Sequence, residues 1–222
     1  MPSKNSTAHS QKKQTQLVFL SLISLVFLFW TLYRSIFNFS VLFDETIGKA
    51  VFFGIPVIIY ATIARSNKVA LTLRSDKLFS GLLRGLAYGG IIGFLSLIII
   101  SIGTGRTVTP LPAFMADYFW RELLLAMFTA FWESLFFFGF IQTVLGGFLK
   151  AKGRVILLTS LLFLLFHLPN LLLQFSGLDV TFLIALMYLF GFGQALIFYQ
   201  EKTIYPLIIT HVVWGMVLLI HF

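Results

Sequence analysis

Three side chains capable of acid–base chemistry stand inside long apolar runs of this sequence: Glu133, His167 and His211. The other acidic residues, Asp44, Glu45, Asp76, Asp117, Glu122, Asp179 and Glu201, fall in loops or at the ends of apolar runs, and His9 and His221 lie near the chain ends. A carboxyl group at membrane depth costs a few kcal/mol unless it faces the bundle interior, takes a proton or finds a partner. One glutamate with two neutral imidazoles can hold a water and deprotonate it, by either of two routes. In the first, Glu133, His167 and His211 are the three protein ligands of a catalytic zinc, whose fourth position holds a water with its pKa lowered towards about 7. In the second there is no metal: Glu133 with His167 orients and deprotonates the water, and His211 stabilises the oxyanion. Both routes hydrolyse an acyl bond. Ser134 is a poor nucleophile candidate, because neighbours at i and i+1 on a helix do not face each other. The plain structural reading of the same residues is hydrogen bonding between helices, with Asn170 or Thr210 satisfying a histidine.

These groups must be positioned by membrane helices. The 222 residues are 59% hydrophobic and 11% charged, with 27 Phe and 17 Gly, which excludes an ordinary water-soluble domain. There is no Cys, so disulfides, thiolate metal sites and a cysteine nucleophile are absent. The net charge of +8 does not point to nucleic acid, because the basic residues fall between apolar spans instead of along one polar face. A hydrocarbon core of about 30 Å needs roughly 20 helical residues, and apolar stretches near 16–37, 47–64, 83–103, 122–148, 155–173, 180–199 and 203–222 give seven candidate spans. The polar segment 1–15 reads as a cytosolic tail ahead of an uncleaved start-transfer anchor. Residues 16–222 read as one transmembrane domain, with the chemistry-bearing region at 122–222.

Alternating seven spans from a cytosolic start places twelve Lys and Arg inside, against Arg34, Lys49, Arg106 and Arg121 outside. This is the positive-inside bias, and it sets the amino end in the cytosol and the carboxyl end outside. At about 1.5 Å per residue, Glu133 lies roughly 25 Å from Lys150, His167 about 20 Å from Arg154 and His211 about 13 Å from Lys202. The three therefore share a broad middle zone. Gly85, Gly89 and Gly93 recur at four-residue spacing and mark a face for close helix approach, as Gly191 and Gly193 do in the sixth span. Trp30, Trp120, Trp132 and Trp214 read as packing or interfacial residues.

Over roughly its last hundred residues the chain resembles the CPBP family of membrane proteases, which takes in CAAX prenyl endopeptidases and bacteriocin-processing or immunity proteins and is also called the Abi family. The family's first motif, Glu-Glu-x-x-x-Arg followed by Gly, is matched in part by Glu133-Ser134-Leu135-Phe136-Phe137-Phe138-Gly139. The second, Phe-x-x-x-His, is matched in full by Phe163 to His167, and the third, His-x-x-x-Asn, by His211 to Gly215 with Gly in place of Asn. Order and spacing agree across all three. The resemblance implies an all-α polytopic bundle and cleavage of a membrane-tethered protein or peptide in a lipid setting, with Glu133, His167 and His211 in the catalytic positions.

Ser134 and Phe138 replace a Glu and an Arg that would sit four apart on one helix face, so both charges are lost together. Gly215 removes a side-chain donor one turn from His211. Trp214, Asn170 and Gln194 are the candidates to replace it. These departures favour an alternative, a family scaffold that has lost catalysis and acts as an immunity or interaction protein. A proton-coupled carrier is a further alternative, disfavoured because the sequence has no internal repeat. The reading is thus of an intramembrane endopeptidase in a bacterial plasma membrane, either zinc-dependent or metal-free.

Overall fold

The computed structural model describes residues 4–64, 67–105, 109 and 118–221. Among them there is no strand. Seven helices follow one another: α1 Lys4–Ile36, α2 Val41–Ala64, α3 Leu78–Thr104, α4 Phe119–Phe148, α5 Lys152–Gln174, α6 Gly177–Glu201 and α7 Tyr205–His221. The first six contain stretches long and apolar enough to cross a membrane, and α7 is a shorter apolar helix. Its 17 residues rise about 25 Å, slightly less than a hydrocarbon core of about 30 Å. The architecture is the all-α polytopic bundle expected. Arg65, Arg106 and Asp117 lie outside the described residues, as do the side chains of His9, Asp179 and His221.

Outward faces carry large apolar side chains such as Phe79, Phe94 and Ile102, the last 79% exposed, a surface that only lipid satisfies. Inside, Phe136, Phe137, Phe138, Phe140, Phe163 and Phe166 pack edge-to-face or tilted against one another and are essentially inaccessible. The Phe-rich composition therefore supplies a rigid aromatic centre as well as a lipid-facing coat.

The glycine spacing in α3 does what the sequence suggests. A Cβ at Gly85 would lie 2.6 Å from Ile209 Cβ and 2.7 Å from the Pro206 carbonyl oxygen, and one at Gly89 would lie 2.7 Å from Val213 Cβ. Only hydrogen fits there, so α7 lies directly against the α3 backbone. Gly191 plays the same part in α6, where a Cβ would meet the Phe163 ring at 2.7 Å, whereas the nearest atom to one at Gly193 is 3.7 Å away. Thr210 donates to the Gly85 carbonyl at 3.3 Å, which fixes the register of α7 one residue before His211.

The second helix departs from expectation. It begins at Val41, six residues ahead of the expected 47, because Ser40 caps it by accepting from the Phe43 amide at 3.3 Å. Asp44 and Glu45 are therefore inside a helix, and Asp44 and Lys49 are buried. Both sides of Lys49 adopt wider, π-type turns, over Asp44–Gly48 and Ala50–Gly54. The fourth helix contains a π-type stretch over Ser134–Gln142 and continues as regular helix through Gly146 and Gly147.

Candidate active site

Glu133 ends the regular part of α4, and the nine-residue π-type stretch begins at the next residue. Widened turns of this kind are uncommon and concentrate at functional sites, since they rotate side chains away from the phase of the preceding helix. Glu133 is 2% exposed and reaches three other helices. Its Oε1 accepts from Lys49 Nζ of α2 at 2.5 Å. Its Oε2 lies 3.3 Å from His167 Nε2 of α5 and 3.8 Å from His211 Nε2 of α7. The three residues singled out in the sequence are thus brought together, on three separate helices.

The histidines are held differently. His167 Nδ1 lies 2.7 Å from the carbonyl of Phe163, one turn back on the same helix, and as a donor there it leaves Nε2 facing Glu133. Its ring lies over that of Phe163 with centroids 4.3 Å apart. The next turn contains Pro169, and the Trp30 indole of α1 donates to the Phe166 carbonyl at 3.0 Å, tying that turn to α1. His211 is held by packing, with its ring edge-on to Phe190 at 5.0 Å, and its Nδ1 has no partner among the described residues.

A neutral His167 that donates through Nδ1 presents a lone pair at Nε2, and Glu133 Oε2 presents another. Among the described residues Oε2 has no hydrogen-bond donor. Two acceptors 3.3 Å apart repel unless a proton or a donor molecule lies with them. A water giving one O–H to Oε2 and the other to Nε2 satisfies both and leaves an oxygen lone pair free. His167, whose side chain is 21% exposed, is the accessible member of the set, while Glu133 at 3% is screened.

Lys49 and Glu45 are neighbours of Glu133 that sequence reasoning missed. Lys49 also pairs with Glu45, four residues earlier on α2, and Glu45 accepts from Thr129 of α4. Beyond it, Arg34 of α1 pairs with Asp44 at 2.7 Å and donates from Nε to Asn170 Oδ1 at 3.1 Å, and Tyr33 donates to Asp44. The one available signal was the i, i+4 spacing of Glu45 and Lys49 inside an otherwise apolar run.

A zinc ion fits this donor set poorly. Glu133 already shares one oxygen with an ammonium, and a divalent cation on the other, roughly 5 Å away, would be repelled by several kcal/mol even at an effective dielectric of about 20. Among the described residues no group of three or more His, Cys, Asp and Glu is placed to hold a metal ion.

Residues 115–217 match the family described as Type II CAAX prenyl endopeptidase Rce1-like. Over this stretch the chain is similar to that family. No curated protein and no solved structure matches. The Rce1-like region contains Glu133, His167 and His211, whereas Lys49 and Glu45 come from α2, ahead of it. Within the matched stretch, Phe138 is fully buried against Phe163, with ring centroids 5.9 Å apart, so an aromatic contact occupies the place where the motif carries a charge.

Of the candidates to replace the third-motif Asn, Trp214 donates to Ser96 Oγ at 2.9 Å and stacks on Phe190, and Asn170 is engaged by Arg34. Gln194 is fully buried, and neither of its amide atoms has a partner among the described residues.

Proposed function

We propose that this protein is a metal-free intramembrane endopeptidase acting on a membrane-tethered protein or peptide. The observation that carries the reading is the convergence of Glu133 Oε2 with His167 Nε2 at 3.3 Å and His211 Nε2 at 3.8 Å, with no donor satisfying Oε2 among the described residues. Water held between Oε2 and His167 Nε2 gives its proton to Glu133 as its oxygen adds to the scissile carbonyl carbon. His211, with its proton on Nε2, donates to the oxyanion that forms. Collapse of the tetrahedral intermediate breaks the C–N bond, and the proton held by Glu133 passes to the leaving amine. Lys49 holds Oε1, so that Oε2 is the oxygen left to face the water.

In this reading the amino end is cytosolic, the carboxyl end is external and the membrane is a bacterial plasma membrane. The test is cleavage of a membrane-tethered peptide library by the reconstituted protein and by its Glu133→Ala, His167→Ala and His211→Ala variants. Loss of cleavage in all three supports the assignment, and retained cleavage in any one removes that residue from the mechanism.

A second reading, an immunity or interaction protein on the same scaffold, is favoured by the absence of the motif charges at Ser134 and Phe138 and of the Asn at Gly215. It requires that cells expressing Glu133→Ala keep the phenotype of the unmodified protein.

A further inference from the structure

Well away from Glu133, a cavity of about 540 Å³ opens where the loop before α5, the end of α6 and the segment before α3 meet. Lys68, Lys150, Lys152 and Lys202 line it, and no carboxylate does. Lysines without a carboxylate along its walls give the cavity a positive field that favours an anion. The first turn of α5 opens onto the same space: Ala151 precedes it without a side-chain cap, and Lys152 and Val155 are cavity residues. Uncapped amides at a helix start favour negative charge.

Two further features concern single side chains. Lys202 ends α6 with φ 56° and ψ 23°, a left-handed conformation that costs a non-glycine residue roughly 1–2 kcal/mol and glycine nothing. Its ammonium lies 3.9 Å from the Tyr199 ring centre, at the cavity wall. Gln142, 3% exposed, also lines the cavity; its Nε2 donates to the Ala195 carbonyl at 2.8 Å, while its Oε1 has no partner among the described residues. The ligand suited to these walls carries an anionic phosphate for the lysines and a hydroxyl for Gln142. A second cavity of about 400 Å³ shares Lys68, Thr143 and Gly147 with the first and is also lined by Tyr60, Val144 and Phe148.

We propose that this pair of cavities binds an anionic phospholipid with a hydroxyl-bearing headgroup, the phosphate among the four lysines and part of the apolar body against Tyr60 and Phe148. Basic pockets between membrane helices are suited to such headgroups.

The test uses the full-length protein in nanodiscs. Binding of spin-labelled phosphatidylglycerol is compared with that of phosphatidylcholine for the unmodified protein and for two double variants. These are Lys150→Gln with Lys152→Gln and Lys150→Arg with Lys152→Arg, at side chains that are exposed and spare the fold. With each lysine contributing about fivefold, the Gln pair is expected to weaken phosphatidylglycerol binding roughly 25-fold while the Arg pair keeps it. Displacement of the bound lipid by millimolar inorganic phosphate assigns the lysines to phosphate groups in general, and resistance to displacement assigns them to the whole lipid; either supports the proposal. Equal binding of the two lipids, unchanged binding by the Gln pair, or displacement by a peptide carboxylate but not by phosphate overturns it.

Discussion

Lys49 Nζ lies 2.5 Å from Glu133 Oε1, joining α2, which precedes the matched stretch, to a buried carboxylate within it. Both groups are buried, so neither tolerates loss of the other: breaking a buried ion pair by removing one partner typically costs about 3–5 kcal/mol. Lys49→Met is expected to lower the thermal unfolding midpoint in detergent and to depress cleavage. Lys49→Arg is expected to retain more of both, because the charge remains. A Lys49→Met protein as stable and active as the unmodified one would mean that the contact contributes nothing.

Chelation gives an independent check on the chemistry. Because the donor set around Glu133 does not fit zinc, peptide cleavage is expected to proceed at an unchanged rate after treatment with 1,10-phenanthroline and dialysis. Loss of activity that added zinc restores would contradict the metal-free mechanism.

Gly215 offers a test by gain of function. A Cβ at this position would meet nothing within 4 Å among the described residues, so an Asn side chain has room one turn from His211. One oxyanion donor is worth about 10²–10³ in rate when well placed. Gly215→Asn is expected to raise kcat by tenfold or more if its amide reaches the oxyanion, at nearly unchanged KM. A rate unchanged or lowered in a folded variant would show that the space serves another purpose.

The glycine face of α3 separates packing from chemistry. Gly85→Val is expected to displace α7 and with it His211, since the added Cβ would collide with the Pro206 backbone oxygen at 2.7 Å, costing about 1–3 kcal/mol or more and most of the activity. Gly90→Ala is the control: a Cβ there meets nothing within 4 Å, so stability is expected to hold or rise. Thermal unfolding together with cleavage rates reads out both. Equal effects of the two substitutions would show that close approach of α3 and α7 is not required.

Much of this arrangement was legible in the sequence, for reasons that differ from residue to residue. The helical bundle followed from hydropathy, because backbone polar groups in lipid must be satisfied within a helix. Glu133, His167 and His211 stood out because ionisable groups in apolar runs are rare and costly. The α3 glycines were visible as a four-residue repeat. Lys49 was not: it counted only as one of four external charges, and only the Ser40 cap, which lengthens α2 by more than a turn, carries it inside. The wide turn after Glu133 also escaped, since Ser134 to Gln142 holds no Pro and reads as ordinary apolar helix. The occupation of Asn170 by Arg34 and of Trp214 by Ser96 depends on contacts between distant helices, which no local pattern reports.

The most direct measurement is a double-mutant cycle on cleavage of a membrane-tethered peptide by Glu133→Gln, His167→Ala and the protein carrying both. If the two side chains share one water, each single substitution is expected to lower kcat by about 10²–10⁴, and the double variant to be hardly worse than either alone. Losses that multiply in the double variant, or near-normal cleavage by a folded Glu133→Gln protein, would contradict a joint role for these residues in activating water.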